Sequence, residues 1–315
     1  MKVVASTGKE DATLVYILEL KSGNLLECVE SVLPPLTRAE KWVLLISTMF
    51  GCPVHCAMCD AGGYYHGKPS ADEIMEQIDF LVHLRYPQKS IPSNQFKIQF
   101  SRMGEPALNS AVLTVLEKLA TRYQAPGLMP SISTVAPAGC NDFFDRIIDI
   151  KNTHYNNGHF QFQFSIHTTD EHLRDQIVPI RKWNFAEMAE YGDRFYMTGD
   201  RKITLNFALA RQSPLESKII KKYFSPEKYL IKITPINPTY RAVENNLISY
   251  IDVNKPNQND EIISQLRADG YEVILSIGNL EENLIGSNCG QYLQTHLNAQ
   301  TKIQAGYSYP IEERF

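Results

Sequence analysis

Residues 42–63 read WVLLISTMFGCPVHCAMCDAGG, an apolar β-type run followed within a few residues by Cys52, Cys56 and Cys59. Half of the six cysteines of this 315-residue chain thus fall in one eight-residue window directly after a candidate strand. Outward from this window the pattern continues. Candidate strands follow at FKIQFSR (96–102), MPSISTV (129–135), FQFQFSIH (160–167), KITLNFALA (202–210), YLIKITPI (229–236) and YEVILSI (271–277). The intervening segments carry helical periodicity, as in SADEIMEQIDFLVHLRY, where Ser70 and Glu73 have the spacing of a capping box. Strands alternating with helices predict an α/β fold with a parallel sheet, doubly wound or curled into a full or partial barrel. In such folds the chemistry sits at the carboxyl ends of the strands, which is where the cysteine window falls. Upstream, TLVYILEL (13–20) and NLLECVESV (24–32), joined by KSGN, predict a β-hairpin. The polar stretch 240–260 reads as a loop or lid with some internal structure, and the tail after Cys289 as a weakly ordered end.

Composition sets the frame for that chemistry. The chain is 43% hydrophobic and 21% charged, that of a globular protein able to bury a large core. It has no apolar run long enough to span a membrane and no secretion signal at its start, so the expected location is the cytoplasm. There, clustered thiols indicate metal or catalysis over disulfides. A net charge of −4 gives no support to phosphate neutralisation by a basic surface. Two local basic clusters, Lys218/Lys221/Lys222 and Arg181/Lys182, read as solvated faces.

Thiolates suit zinc or iron–sulfur clusters. A structural zinc site takes four protein ligands, so zinc here requires a fourth such as His55 or His66. A cubane held by three cysteines instead leaves one iron open to an amino-acid-like chelator. The spacing C-x3-C-x2-C resembles the signature of the radical S-adenosylmethionine superfamily, and Gly104, Glu105 and Pro106 in FSRMGEPALN (100–109) resemble that superfamily's GEP-type turn at the end of the next strand. Together with SIHTTDEHLRDQIVPI (165–180), ITPINP (233–238) and GSNCGQY (286–292), the order of motifs resembles the ribosomal-RNA adenine methyltransferases of the RlmN/Cfr type from about residue 13 to residue 292.

The resemblance implies a partial (β/α)6 barrel over 41–292, an N-terminal β-hairpin extension over 1–40 and a C-terminal tail over 293–315. It implies a [4Fe-4S] cluster on Cys52, Cys56 and Cys59, and S-adenosylmethionine bound by Gly104, Glu105, Ser133, Ser165, His167 and Asn237, with Ser131 an alternative to Ser133. Cys289 corresponds to the cysteine that carries the methyl group, and Glu30 to the carboxylate that handles the substrate proton. The implied partners are S-adenosylmethionine, an electron donor such as a flavodoxin or ferredoxin, and a substrate, with no membrane.

Two departures stand out. At the position of the family's resolving cysteine, seven residues before Cys52, this chain has Leu45. Cys28, two residues before Glu30 and expected on the same strand face, is a replacement candidate, and Cys140 a weaker one. The family also carries a helical RNA-binding domain ahead of the hairpin, whereas this sequence starts almost at the hairpin. With the acidic balance, that turns the reading from ribosomal RNA toward a nucleobase-like or other small substrate. The competing readings are a non-methylating carbon–carbon bond-forming or rearranging radical enzyme, and a non-catalytic metal-binding partner protein.

Overall fold

A computed structural model describes residues 1–252 and 260–277, together with 293, 297 and 312–313. It begins with three antiparallel strands, β1 (Lys2–Gly8), β2 (Thr13–Glu19) and β3 (Leu25–Ser31). The expected hairpin is β2–β3; β1 was not anticipated, because its short run KVVASTG has no clear alternation. Next come β4 (Lys41–Ile46), α1 (Ala71–Arg85), β5 (Gln95–Phe100), the one-turn helix η1 (Pro106–Leu108), α2 (Ala111–Arg122), β6 (Leu128–Thr134), α3 (Asn141–His154) and β7 (Gln161–Ser165). The chain continues through α4 (Glu171–Ile177), α5 (Phe185–Phe195), β8 (Ile203–Leu209), α6 (Ser217–Tyr223), β9 (Tyr229–Pro235), α7 (Tyr240–Glu244), α8 (Asp260–Ala268) and β10 (Val273–Leu275). A two-residue strand, β11 (Glu312–Glu313), pairs with β1, at an end the sequence reads as weakly ordered. Among the described residues, no helix is long and apolar enough to cross a membrane.

All the strands form one sheet in the order β10-β9-β8-β7-β6-β5-β4-β3-β2-β1-β11. From β4 to β10 each strand pairs in parallel with the next, the arrangement that helical crossovers impose. The six strands β4–β9 correspond to the expected partial barrel, and the three-residue β10 extends it. β3 joins antiparallel to β4, so the hairpin continues the barrel sheet.

Alternation decides what each face holds. On β4 and β5, Trp42, Leu44, Ile46, Phe96, Ile98 and Phe100 are fully buried toward the helices. The indole of Trp42 stacks on Phe96 at 4.9 Å between ring centroids. A second aromatic layer, formed by Phe144, Phe162, Tyr191 and Phe195, cements α3 and α5 to β7. Helix α1 starts at the expected capping box: Ser70 Oγ accepts from the Glu73 amide and Glu73 Oε2 from the Ser70 amide. The opposite faces of the parallel strands turn to a shared bore and carry polar side chains, among them Gln99, Ser133, Gln163, Asn206 and Lys232.

Candidate active site

Six consecutive strands, β4–β9, and the residues just after β10 line a single cleft of ≈ 330 Å³, so the sheet curves around it. The cleft is lined at the carboxyl ends of the strands by Cys52, Cys56, Cys59, Gly104, Glu105, Ser133, Ser165, His167 and Asn237. These are the residues that the sequence motifs single out for cluster and cofactor. Ser131, the alternative to Ser133, is buried and is not part of the lining.

The cysteine loop follows β4 and folds back on itself. Gly51 has φ +76°, and a Cβ there would stand 1.5 Å from the Tyr64 carbonyl oxygen, so only glycine allows this approach. The loop is fastened from two sides. The Ala57 amide donates to the Ile177 carbonyl at the end of α4. From α7, the amides of Tyr240 and Arg241 donate to the Asp60 carboxylate, Thr239 Oγ1 donates to the Met58 carbonyl, and Arg241 Nε donates to the Cys56 carbonyl. Burial pushes the Cys52 thiol up to about 12 and the Cys56 thiol up as well, so thiolates in this loop need a cation for compensation.

The GEP turn is equally built in. Gly104 has φ +102°, and a Cβ would lie 2.6 Å from Met49 Cβ and 2.8 Å from Thr48 Oγ1. Glu105 caps η1. Its carboxylate accepts from the Ala107 amide (3.1 Å), Thr134 Oγ1 (2.5 Å) and the Val135 amide (2.9 Å), which ties the turn to the end of β6. Burial outweighs these donors and raises its carboxyl to about 7. His167, itself at φ +70°, accepts from the Ala208 amide through Nδ1. Burial, with a smaller push from Arg174, lowers its imidazole to about 4, so near neutrality the ring is uncharged with Nε2 as a donor. Arg174, in the segment that follows His167, is buried and donates to the carbonyls of Val135 and Trp183.

The hairpin side requires corrections. Val29 pairs with Leu45 and Ser31 with Val43. Leu45 lines the cleft, so β3 turns Glu27, Val29 and Ser31 inward and Cys28 and Glu30 outward to the helices. Cys28 and Glu30 do share a face, as expected, but it is the wrong one for the site. Cys28 is fully buried in the apolar core, and burial pushes its thiol well up, so it is not placed to replace the missing resolving cysteine. Glu30 accepts from Arg85 Nη2 (2.6 Å), Arg85 Nε (3.0 Å), Tyr16 Oη (3.2 Å) and Trp42 Nε1 (3.2 Å), and it fastens α1 to the hairpin. The inward carboxylate of β3 is Glu27. It forms a wholly buried ion pair with the cleft residue Arg102 (2.7 Å) and accepts from the Leu293 amide (3.0 Å). Cys140, at the start of α3, is not part of the cleft lining. Cys289 lies outside the described residues.

Glu27, Arg102, Gln99, Gln163, Asn206 and Lys232 escaped the motif reading. The available signal was polar residues alternating with apolar ones, as in QFQFS and YLIKITP.

Among the described residues, no three His, Cys, Asp or Glu side chains converge on a single ion position. A cubane takes its thiolates on separate irons and so spreads them further apart. Neither His55 nor His66, the alternative zinc ligands, lines the cleft. Asn237 presents a buried Oδ1 with no hydrogen-bond partner at the cleft, an acceptor that a bound cofactor would satisfy. The donor set, the open cleft, the glycine-only turn and this acceptor all fit a [4Fe-4S] cluster with S-adenosylmethionine.

The fold and the residues gathered at the cleft resemble those of radical S-adenosylmethionine proteins. The structure resembles a radical SAM methyltransferase from Sphaerobacter thermophilus with a TM-score of 0.70 at 18% identity, covering 92% of this chain and 80% of that one. It also resembles Streptococcus suis SuiB bound to S-adenosylmethionine, with a TM-score of 0.51 at 14% identity, covering 76% of this chain and 50% of that one. The sequence is similar to a probable dual-specificity RNA methyltransferase RlmN from Desulfitobacterium hafniense, 27% identical over 235 residues, covering 73% of this chain and 63% of that protein. It is 22% identical over 311 residues to the dual-specificity RNA methyltransferase RlmN of Wolinella succinogenes, covering 92% of this chain and 83% of that protein. The chain thus spans less than two thirds of the length of the Desulfitobacterium relative. No family model matches it.

Proposed function

We propose that this protein is a radical S-adenosylmethionine enzyme that methylates or otherwise alkylates an unreactive carbon of a nucleobase-like or other small substrate, with Cys289 as methyl or thioether carrier. The observation that carries the reading is the convergence of Cys52, Cys56, Cys59, Gly104, Glu105, Ser133, Ser165, His167 and Asn237 on one cleft. Cys52, Cys56 and Cys59 would hold a [4Fe-4S] cluster, which when bound would supply the electron for reductive cleavage of S-adenosylmethionine. The Gly104–Glu105 turn, stiffened by Thr134 and Val135, presents backbone polar groups without reorganisation. The uncharged His167 would offer Nε2 as a donor to the cofactor and would add no positive charge to the cleft. Asn237 Oδ1 supplies an acceptor.

A second reading follows from Leu45. An apolar side chain lines the cleft at the position where the resemblance to the RlmN/Cfr type implies a resolving cysteine, and Cys28 points away from it. This favours either resolution of a Cys289 adduct without an internal disulfide, or a non-methylating carbon–carbon bond-forming or rearranging reaction. Anaerobic reconstitution followed by reduction tests the common core: about four irons per chain and release of 5′-deoxyadenosine are expected. Colourless protein that holds zinc and leaves S-adenosylmethionine intact would refute it. Methyl-labelled S-adenosylmethionine separates the two readings, since label in Cys289 or product requires methyl transfer.

A further inference from the structure

Behind the wall of the cleft stands a buried positive charge whose hydrogen bonds go to neutral groups. Arg174, on α4, is 2% exposed, and among the described residues it forms no ion pair. Its Nη1 donates to the Trp183 carbonyl (2.8 Å) and its Nη2 to the Val135 carbonyl (3.2 Å). Its Nε, also buried, has no hydrogen-bond partner among the described residues. The guanidinium carbon lies 5.7 Å from the centroid of the Phe185 ring, which shields it further from water. Charges taken out of water are ordinarily paired, because the interior does not replace their hydration.

The surroundings of Arg174 point to the cysteine loop. The Val178 amide donates to the Arg174 carbonyl, and the Ile177 carbonyl accepts from the amide of Ala57, the residue after Cys56 (2.8 Å). Ile177 and Val178 share a buried cluster with Cys52, Val54 and Met58, so Arg174 sits one helical turn before the contact that fastens the loop to α4. On its other side, Val135 takes Nη2 on its carbonyl, gives its amide to Glu105 and lines the cleft. Burial lowers the guanidinium to about 10, and Asp175, Glu171 and Cys56 push it back up, so it stays charged near neutrality. The two carboxylates are exposed and held elsewhere: Asp175 pairs with Lys182, and Glu171 accepts from the Phe185 amide. Cys56 lines the cleft.

We propose that Arg174 is the counter-charge of the metal centre: its guanidinium offsets the negative charge gathered on Cys52, Cys56 and Cys59 and so eases the one-electron reduction of the cluster they would hold. This assignment rests on the radical-enzyme reading of the cleft and gives that reading a residue that sets its redox potential. Reduction brings one electron from an external one-electron donor to a centre that already bears three thiolates, and a fixed positive charge close by raises the potential at which this happens. No bond to Arg174 forms or breaks, and no proton moves.

The test is an anaerobic redox titration of cluster-loaded protein with dithionite, without S-adenosylmethionine, followed by electron paramagnetic resonance of the reduced cluster. Arg174→Gln keeps a hydrogen-bond donor and loses the charge, whereas Arg174→Lys keeps the charge. The glutamine variant should be about tenfold harder to reduce at equilibrium, a midpoint lower by about 59 mV, and the lysine variant should recover at least about half of that loss. Cluster loading in Arg174→Lys but not in Arg174→Gln supports the same role, since the charge is then needed to assemble the centre. A midpoint unchanged or raised in Arg174→Gln, a shift in Arg174→Lys as large as in Arg174→Gln, or failure of Arg174→Lys to fold or to load overturns the proposal and leaves Arg174 to its hydrogen bonds with Val135 and Trp183. Iron content and a reducible cluster are scored first in the wild-type chain, whose failure to take up a cluster refutes the radical reading itself and is distinct from any result on the variants.

Discussion

Replacing Lys97 with methionine should stabilise the protein, with a characteristic dependence on pH. The folded state holds the Lys97 amine at about 7 against an ordinary value of 10.5, chiefly through burial. The unfolded chain therefore binds a proton that the folded chain refuses between those two values, and stability rises with pH across that window. The penalty is fully present below pH 7, shrinks as pH rises and vanishes above 10.5. At about 1.4 kcal/mol per tenfold change in affinity, its upper bound is about 4–5 kcal/mol. Lys97 keeps some contact with solvent, so we halve this to about 2 kcal/mol. Methionine fills nearly the same volume without the charge. For a chain of this size the gain corresponds to about 4 °C in Tm. Scanning calorimetry of the cluster-loaded protein should show that rise at pH 6.5 and about a third of it at pH 9.5. A Tm that is unchanged or lower at pH 6.5, or a gain that does not depend on pH, would refute the reasoning.

Other substitutions test separate parts of the structure. Gly104→Ala forces a side chain into a left-handed backbone position and against Met49 and Thr48, and should cut 5′-deoxyadenosine release at least about tenfold while the iron content stays near wild type. Glu30→Ala leaves Arg85 without its main partner and should lower stability by about 3–5 kcal/mol in denaturant titrations, while S-adenosylmethionine cleavage per folded molecule holds. A cleavage loss beyond the unfolded fraction would return Glu30 to the site. Asp60→Ala removes the acceptor that joins α7 to the cysteine loop, and iron bound per chain after reconstitution should fall several-fold.

The alternation of apolar and polar residues, the helix periods and the cysteine spacing are local properties, so the strand order, the capping box of α1 and the position of the cysteine loop after β4 were legible in the sequence. So was the gathering of the residues that follow strand ends, because a parallel sheet brings all its carboxyl ends to one rim. The hairpin was legible as a hairpin, and Cys28 and Glu30 as neighbours on one face. Which face that is depended on a partner the sequence does not name. The pairing of Val29 with Leu45 turned Glu27 inward and Glu30 out to Arg85, and a register shifted by one residue would have reversed both. The nearness of Lys97 and Lys232 was equally hidden, since they are 135 positions apart and meet only where the curved sheet brings β5 and β9 around a common space. Periodicity specifies that a side chain alternates; long-range pairing and curvature decide what it faces.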